Sequence, residues 1–164
     1  MFKSIFLPII AVAAFIVLVG LLSQGKLDFF FKNTSPAVQN EKTIKIDDLK
    51  IIVEVAETNE ERSLGLSNRT RLDDQSGMVF VFTKNSKPVF WMKDTKIPLD
   101  IIWINDNKII GIEKNVQPEL GVTDSKLKKY PAPSEIDYVL EVNGGFSDKN
   151  SIKVGEMISG LEQL

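Results

Sequence analysis

The sequence predicts a mainly β domain, a sandwich or barrel with one short helix, preceded by an N-terminal transmembrane helix. Three observations predict it. Short β-branched and aromatic runs recur between turn residues from Thr43 onwards. A capping box, Thr58-Asn59-Glu60-Glu61, marks a helix start. An uncharged apolar run fills Ser4 to Leu22.

The apolar run comes first in the chain. As a helix, its core Ile5 to Leu22 spans roughly 27 Å, close to the hydrocarbon thickness of a bilayer. A cleaved signal has a shorter apolar core and ends in an A-x-A-like site. This run ends G-L-L-S-Q-G-K, which favours a retained anchor over a cleaved signal or a buried core helix. The chain has no cysteine, which excludes a lipid-modified N-terminal cysteine. The expected organisation is an anchor and juxtamembrane segment over 1–32, a flexible linker over 33–42 and a β domain over 43–164. The membrane, engaged through residues 5–22, is the expected partner. A short tail followed by a domain resembles a signal-anchor, so the expected location is the cell membrane with the domain on the extracytoplasmic side.

Beyond residue 32 the chain carries 17 Lys and Arg (20 less Lys3, Lys26 and Lys32) and 21 Asp and Glu (22 less Asp28), a balance of −4. A mildly acidic domain lacks the concentrated positive surface that nucleic acid requires, so no nucleic-acid partner is expected. The absence of histidine removes Ser-His-Asp and Cys-His catalysis and any ordinary zinc site. Only oxygen-ligand metals are compatible, and neither metal nor cofactor is expected.

The elements follow in order. Thr43 to Ile46 alternates and predicts a short strand; Lys50 to Ala56 predicts a longer one. The capping box predicts a helix over Asn59 to Leu66, with Gly65 and Asn68 as terminators. Gly77 to Phe82 reads as a strand buried on both faces and Thr83 to Lys87 as a turn. Strands are expected over Val89 to Lys93 and Asp100 to Ile104. Asn105-Asp106-Asn107 turns the chain into a return arm, Lys108 to Glu113. Val116 to Pro133 is a long connection, a lid or a wrap. Ile136 to Val142 is a strand with Tyr138, Leu140 and Val142 on one face and Asp137, Val139 and Glu141 on the other. Gly144-Gly145 breaks it, Phe146 to Asn150 suits one helical turn, and Lys153 to Ile158 is expected as a final strand.

The most distinctive stretch is Val89 to Ile104, V-F-W-M-K-D-T-K-I-P-L-D-I-I-W-I, which holds both tryptophans. With E-R-S-L-G-L-S-N-R (61–69), G-M-V-F-V-F (77–82), Y-V-L-E-V-N-G-G (138–145) and V-G-E-M-I (154–158), it resembles the bacterial and archaeal family called domain of unknown function 192. The resemblance covers about Ile51 to Ile158. It implies a β-sandwich of jelly-roll type, often behind a signal or anchor, with no assigned activity. The chain departs from the family pattern at Ser67, where Met is usual, at Asp94, where Asn is usual, and at Glu156, where Asp is usual.

The candidate ligand-binding residues are Arg62, Arg69, Trp91, Lys93, Asp94, Thr95, Asp100 and Glu141. Trp91 offers a stacking plate, Lys93 and Arg62 positive charge, and Asp94 and Asp100 acceptors. Aromatic plates beside carboxylates suit sugars and other polar ligands. An arginine fork from Arg62 or Arg69 onto Asp94 would fix the turn. The best functional reading is a membrane-anchored extracytoplasmic binding module for a small polar ligand or a cell-envelope saccharide. The alternative is a structural or protein-interaction domain, with the tryptophans in the core, Asp100 capping its turn and Lys93 paired with a neighbour such as Glu141. A carboxylate-based hydrolase ranks third, and no catalytic residue is assigned.

Overall fold

Side chains alternate between the two faces of a strand, and the strands over 99–105 and 136–143 bury both faces. The computed structural model describes residues 41–164, apart from the side chains of Lys84 and Asn85. The expected membrane helix over 5–22 and nearly all of the expected linker lie outside the described residues. Among the described residues no helix is long and apolar enough to cross a membrane.

The strands are β1 (Lys42–Ile46), β2 (Leu49–Ala56), β3 (Ser76–Ser86), β4 (Val89–Phe90), β5 (Leu99–Asn105), β6 (Lys108–Val116), β7 (Tyr130–Pro131), β8 (Ile136–Asn143) and β9 (Ile158–Ser159). Two short helices, α1 (Asn59–Leu64) and α2 (Phe146–Lys149), interrupt them. Seven strands form one sheet in the order β6-β5-β8-β3-β2-β1-β9, and β4 pairs with β7 separately. All pairs are antiparallel except β2 with β3, which run parallel with α1 in their connection. The fold is mainly β, as predicted, but the seven strands curl as one sheet. The segment before β9 returns to β6: Ile109 N–H donates to Glu156 O (2.9 Å) and Ile158 N–H to Asn107 O (2.7 Å). The two ends of the sheet therefore meet.

Each face has its own core. Inside the curl, Ile44, Ile51, Val53, Val79, Ile102, Ile104, Leu140 and Val142 pack together. On the outer face, Met78, Phe80, Ile101, Trp103 and Val139 are covered by Leu66, Met92, Ile97 and Tyr130 from the connections. Burial on two faces explains why β5 is apolar but for Asp100, with Leu99 to Ile104 all buried.

Several boundaries differ from expectation. The linker's last residue, Lys42, is already in β1, which pairs with β2 as a hairpin. Strand β3 continues through the expected turn to Ser86, with a register shift after Val81. The strand expected over Val89 to Lys93 is only Val89–Phe90, because its partner β7 offers two residues. The last strand is Ile158–Ser159 rather than Lys153 to Ile158; Gly155, at φ 103°, turns the chain just before it. The helix stops at Leu64 because Gly65 takes φ 47° and its N–H caps Glu61 O at 2.8 Å.

Candidate functional site

A cavity of about 300 Å³ lies on the outer face of the sheet between α1, β3, β4 and β8. Glu141 is among the residues lining it. It sits on the outer face of β8, the strand between β5 and β3, opposite Ile101 and Met78. Its side chain is flanked by apolar neighbours on both sides, and the residue is 6% exposed. Among the described residues neither a hydrogen bond nor an ion pair reaches its carboxyl. Burial alone pushes the acid up to about 8.

The walls are aromatic. Phe80 and Phe82 follow from the period of β3, two residues apart on one face. The Phe90 ring stands edge-on to Phe80, Phe82 and Trp103, with centroids 5.1, 6.2 and 5.5 Å away. Trp91 closes the rim at 45% exposure, with Lys129 Nζ 4.0 Å above its ring. Trp103, by contrast, is a core residue. The second wall is α1, set in place by its capping box: Glu61 N–H donates to Thr58 Oγ1 (3.1 Å) and Thr58 N–H to Glu61 Oε2 (2.9 Å). The backbone N–H groups of Thr58 and Glu57, both donating to its Oε2, hold the Glu61 carboxyl below its ordinary range. Gly65 passes so close to the wall that a Cβ there would lie 3.2 Å from Phe80 Cζ.

The cations at the cavity are engaged. Arg62 lies over Phe82 (5.3 Å to the centroid) and donates to Val81 O (2.8 Å), to Glu57 O and to Asn59 Oδ1 (2.6 Å). It thereby ties α1 to β3. Lys93 pairs with Asp124 of the long connection, not with Glu141. That bond, and then Asp94, hold its ammonium above its ordinary range. Thr95 is buried, and its hydroxyl donates to Lys93 O at 3.3 Å.

Five of the eight residues expected at the site, Arg62, Trp91, Lys93, Thr95 and Glu141, thus line one cavity. Three do not. Arg69 makes the arginine fork, but onto Glu54 of β2 rather than Asp94. Asp94 is exposed at φ 54°, and its carbonyl accepts from Asn68 N–H at 2.8 Å. Asn and Asp alike tolerate that backbone, so its requirement is conformational. Asp100 is wholly buried; it accepts from the backbone N–H of Asn115 (2.7 Å), Gly145 (2.8 Å) and Ser147 (2.7 Å). It locks the turn after β8 to β5 and has no face toward the cavity. Phe80, Phe82, Phe90 and Leu64 belong to the lining without having been named from the sequence. The spacing of Phe80 and Phe82 was their one available signal. Among the described residues no cluster of acidic residues could hold a metal ion.

The chain is similar to a protein of unknown function from Novosphingobium aromaticivorans, at 32% identity over 73% of this chain and 83% of that one, with a TM-score of 0.63. It is also similar to a protein from Sinorhizobium meliloti named as a proposed transcription regulator, at 28% identity over 67% of this chain and 81% of that one, TM-score 0.61. None of the curated proteins compared with it matches. The model of the DUF192 family, described as an uncharacterized ACR, matches residues 42–160, the whole curled sheet, and the chain belongs to that family.

Proposed function

We propose that the domain is a binding module, anchored to the membrane by residues 5–22 and facing the extracytoplasmic side. Its ligand is a small polar molecule or a cell-envelope saccharide held over Glu141. One observation carries the reading: a cavity with aromatic walls and a buried, unpartnered carboxyl among its lining residues. Such sites set a few convergent polar groups in an apolar lining. In the same reading the curled sheet is a variant of the jelly roll, with the parallel β2–β3 pair as its departure. The name of the Sinorhizobium meliloti protein does not transfer, since this domain is acidic.

A thermal-shift screen of residues 41–164 against sugars, peptidoglycan fragments and divalent ions tests the reading. A ligand at about 100 times its Kd adds about 2.7 kcal/mol by mass action. That raises the melting temperature by about 10 °C for a domain of this size. Trp91→Ala removes most of that shift, each protein being read against its own unliganded melting temperature. The anchor is tested by protease added to spheroplasts: the domain is shaved off before the membrane is ruptured, and survival until rupture reverses the orientation.

A second reading has its own observation. Leu64, Val89 and Trp91, at 64%, 43% and 45% exposure, form an apolar rim around the cavity, as an interaction surface would. A screen without any thermal shift favours it.

A further inference from the structure

The cavity has a chemical asymmetry. Its two cations already have partners: Lys93 is paired with Asp124, and Arg62 spends three of its five N–H donors on Glu57 O, Val81 O and Asn59 Oδ1. The remaining polar atoms at the edge belong mainly to Asn59, Ser63, Ser67 and Thr95. Thr95 spends its hydroxyl proton on Lys93 O, and so does Ser67. Glu141 is the one acidic residue in the lining, and among the described residues no protein donor reaches its carboxyl. A buried carboxyl with no donor is costly to keep, and a ligand donor would relieve the cost.

We infer that the cavity takes a ligand presenting a primary ammonium group, on a sugar or similarly compact body, which donates to Glu141 between the Phe82, Phe90 and Trp91 rings. This rests on the proposed binding function and names the ligand's chemistry. Aromatic faces attract cations, and two of these rings already do so with the protein's own Arg62 and Lys129. An anionic ligand meets a carboxyl. A neutral hydroxyl gains only an ordinary hydrogen bond where an ammonium gains a charge-assisted one.

At pH 7 the free acid is mostly protonated, since burial holds it at about 8. The arriving ammonium ionises it, and the proton leaves to solvent. The charged groups facing Glu141 across the cavity are Arg62 of α1 and Lys93 beyond β4; its neighbours on β3 and β5 are the uncharged Met78 and Ile101. The bond to Asp124 holds the Lys93 ammonium above its ordinary range. Affinity for an ammonium therefore rises by up to tenfold per pH unit from pH 6 toward pH 8.

The test is isothermal titration calorimetry on the full chain in detergent, with two matched pairs of probes: glucosamine against N-acetylglucosamine, and benzylamine against benzyl alcohol. At least one amine is expected to bind at least tenfold more tightly than its neutral partner. Its heat should depend on the buffer in the sense of proton release. Glu141→Gln, a neutral isostere that keeps the packing, should erase the tenfold preference and the proton release. If the neutral partners bind as tightly as the amines, the ammonium inference falls while the binding site stands. If none of the four binds, the inference falls, and the binding reading is left to its saccharide and peptidoglycan screen. An amine preference that survives in Glu141→Gln also overturns the assignment.

Discussion

Glu141 is unpaired in its apolar surroundings, so the stability of this domain should depend on pH through that one acid. Its folded value, about 8, lies above the ordinary 4.5. The folded chain therefore holds the proton more tightly than the unfolded chain does. This group costs nothing below about pH 4.5. Its cost grows as the pH rises and levels off above about pH 8. At about 1.4 kcal/mol per pH unit, wild type should lose ~2.5 kcal/mol between pH 5 and pH 7 relative to Glu141→Gln, which cannot ionise. Urea unfolding of both proteins at pH 5, 6, 7 and 8 measures the difference. Comparing the gap across pH cancels any fixed packing difference between the two side chains. The gap in midpoint should widen by about 1 M over the first two pH units. A gap constant to within about 0.5 kcal/mol across the range would refute the reasoning, because it would mean that the carboxyl has a donor in the folded chain.

Two further substitutions test the scaffold. Asp100→Asn replaces a carboxylate that accepts from three backbone amides with a side chain that must point an NH2 at one of them. It should cost about 3 kcal/mol and lower the melting temperature by about 12 °C in a thermal denaturation followed by circular dichroism. Arg69→Lys abolishes the fork onto Glu54 and should cost about 1 to 2 kcal/mol by urea midpoint. With Glu54→Gln it closes a double-mutant cycle, and a coupling near zero would show the fork to be no more than a surface contact.

The capping box at Thr58 and Glu61 was complete in the sequence, because its bonds span three residues. The alternation of β8 correctly put Glu141 on the face opposite Leu140 and Val142, because side chains reverse at every residue of a strand. Membership of the family was carried by motifs in order along the chain, and the match over 42–160 agrees. Composition settled that there is no histidine or cysteine chemistry.

Tertiary structure decided the partners. Whether Arg69 forks Asp94 or Glu54, and whether Lys93 meets Glu141 or Asp124, depends on which strands and connections lie side by side, and these are separated by tens of residues in the chain. The role of Asp100 as an acceptor of three amides arises because the end of β6 and the turn after β8 converge on it. The pairing order, with parallel β2 and β3 and with both ends of the sheet meeting near Glu156, made one curled sheet where alternation alone is equally compatible with two. Alternation says which face a residue occupies. Only the packing of α1 and the β4–β7 pair over that face turned an acid on a strand into a buried, unpaired one at a cavity.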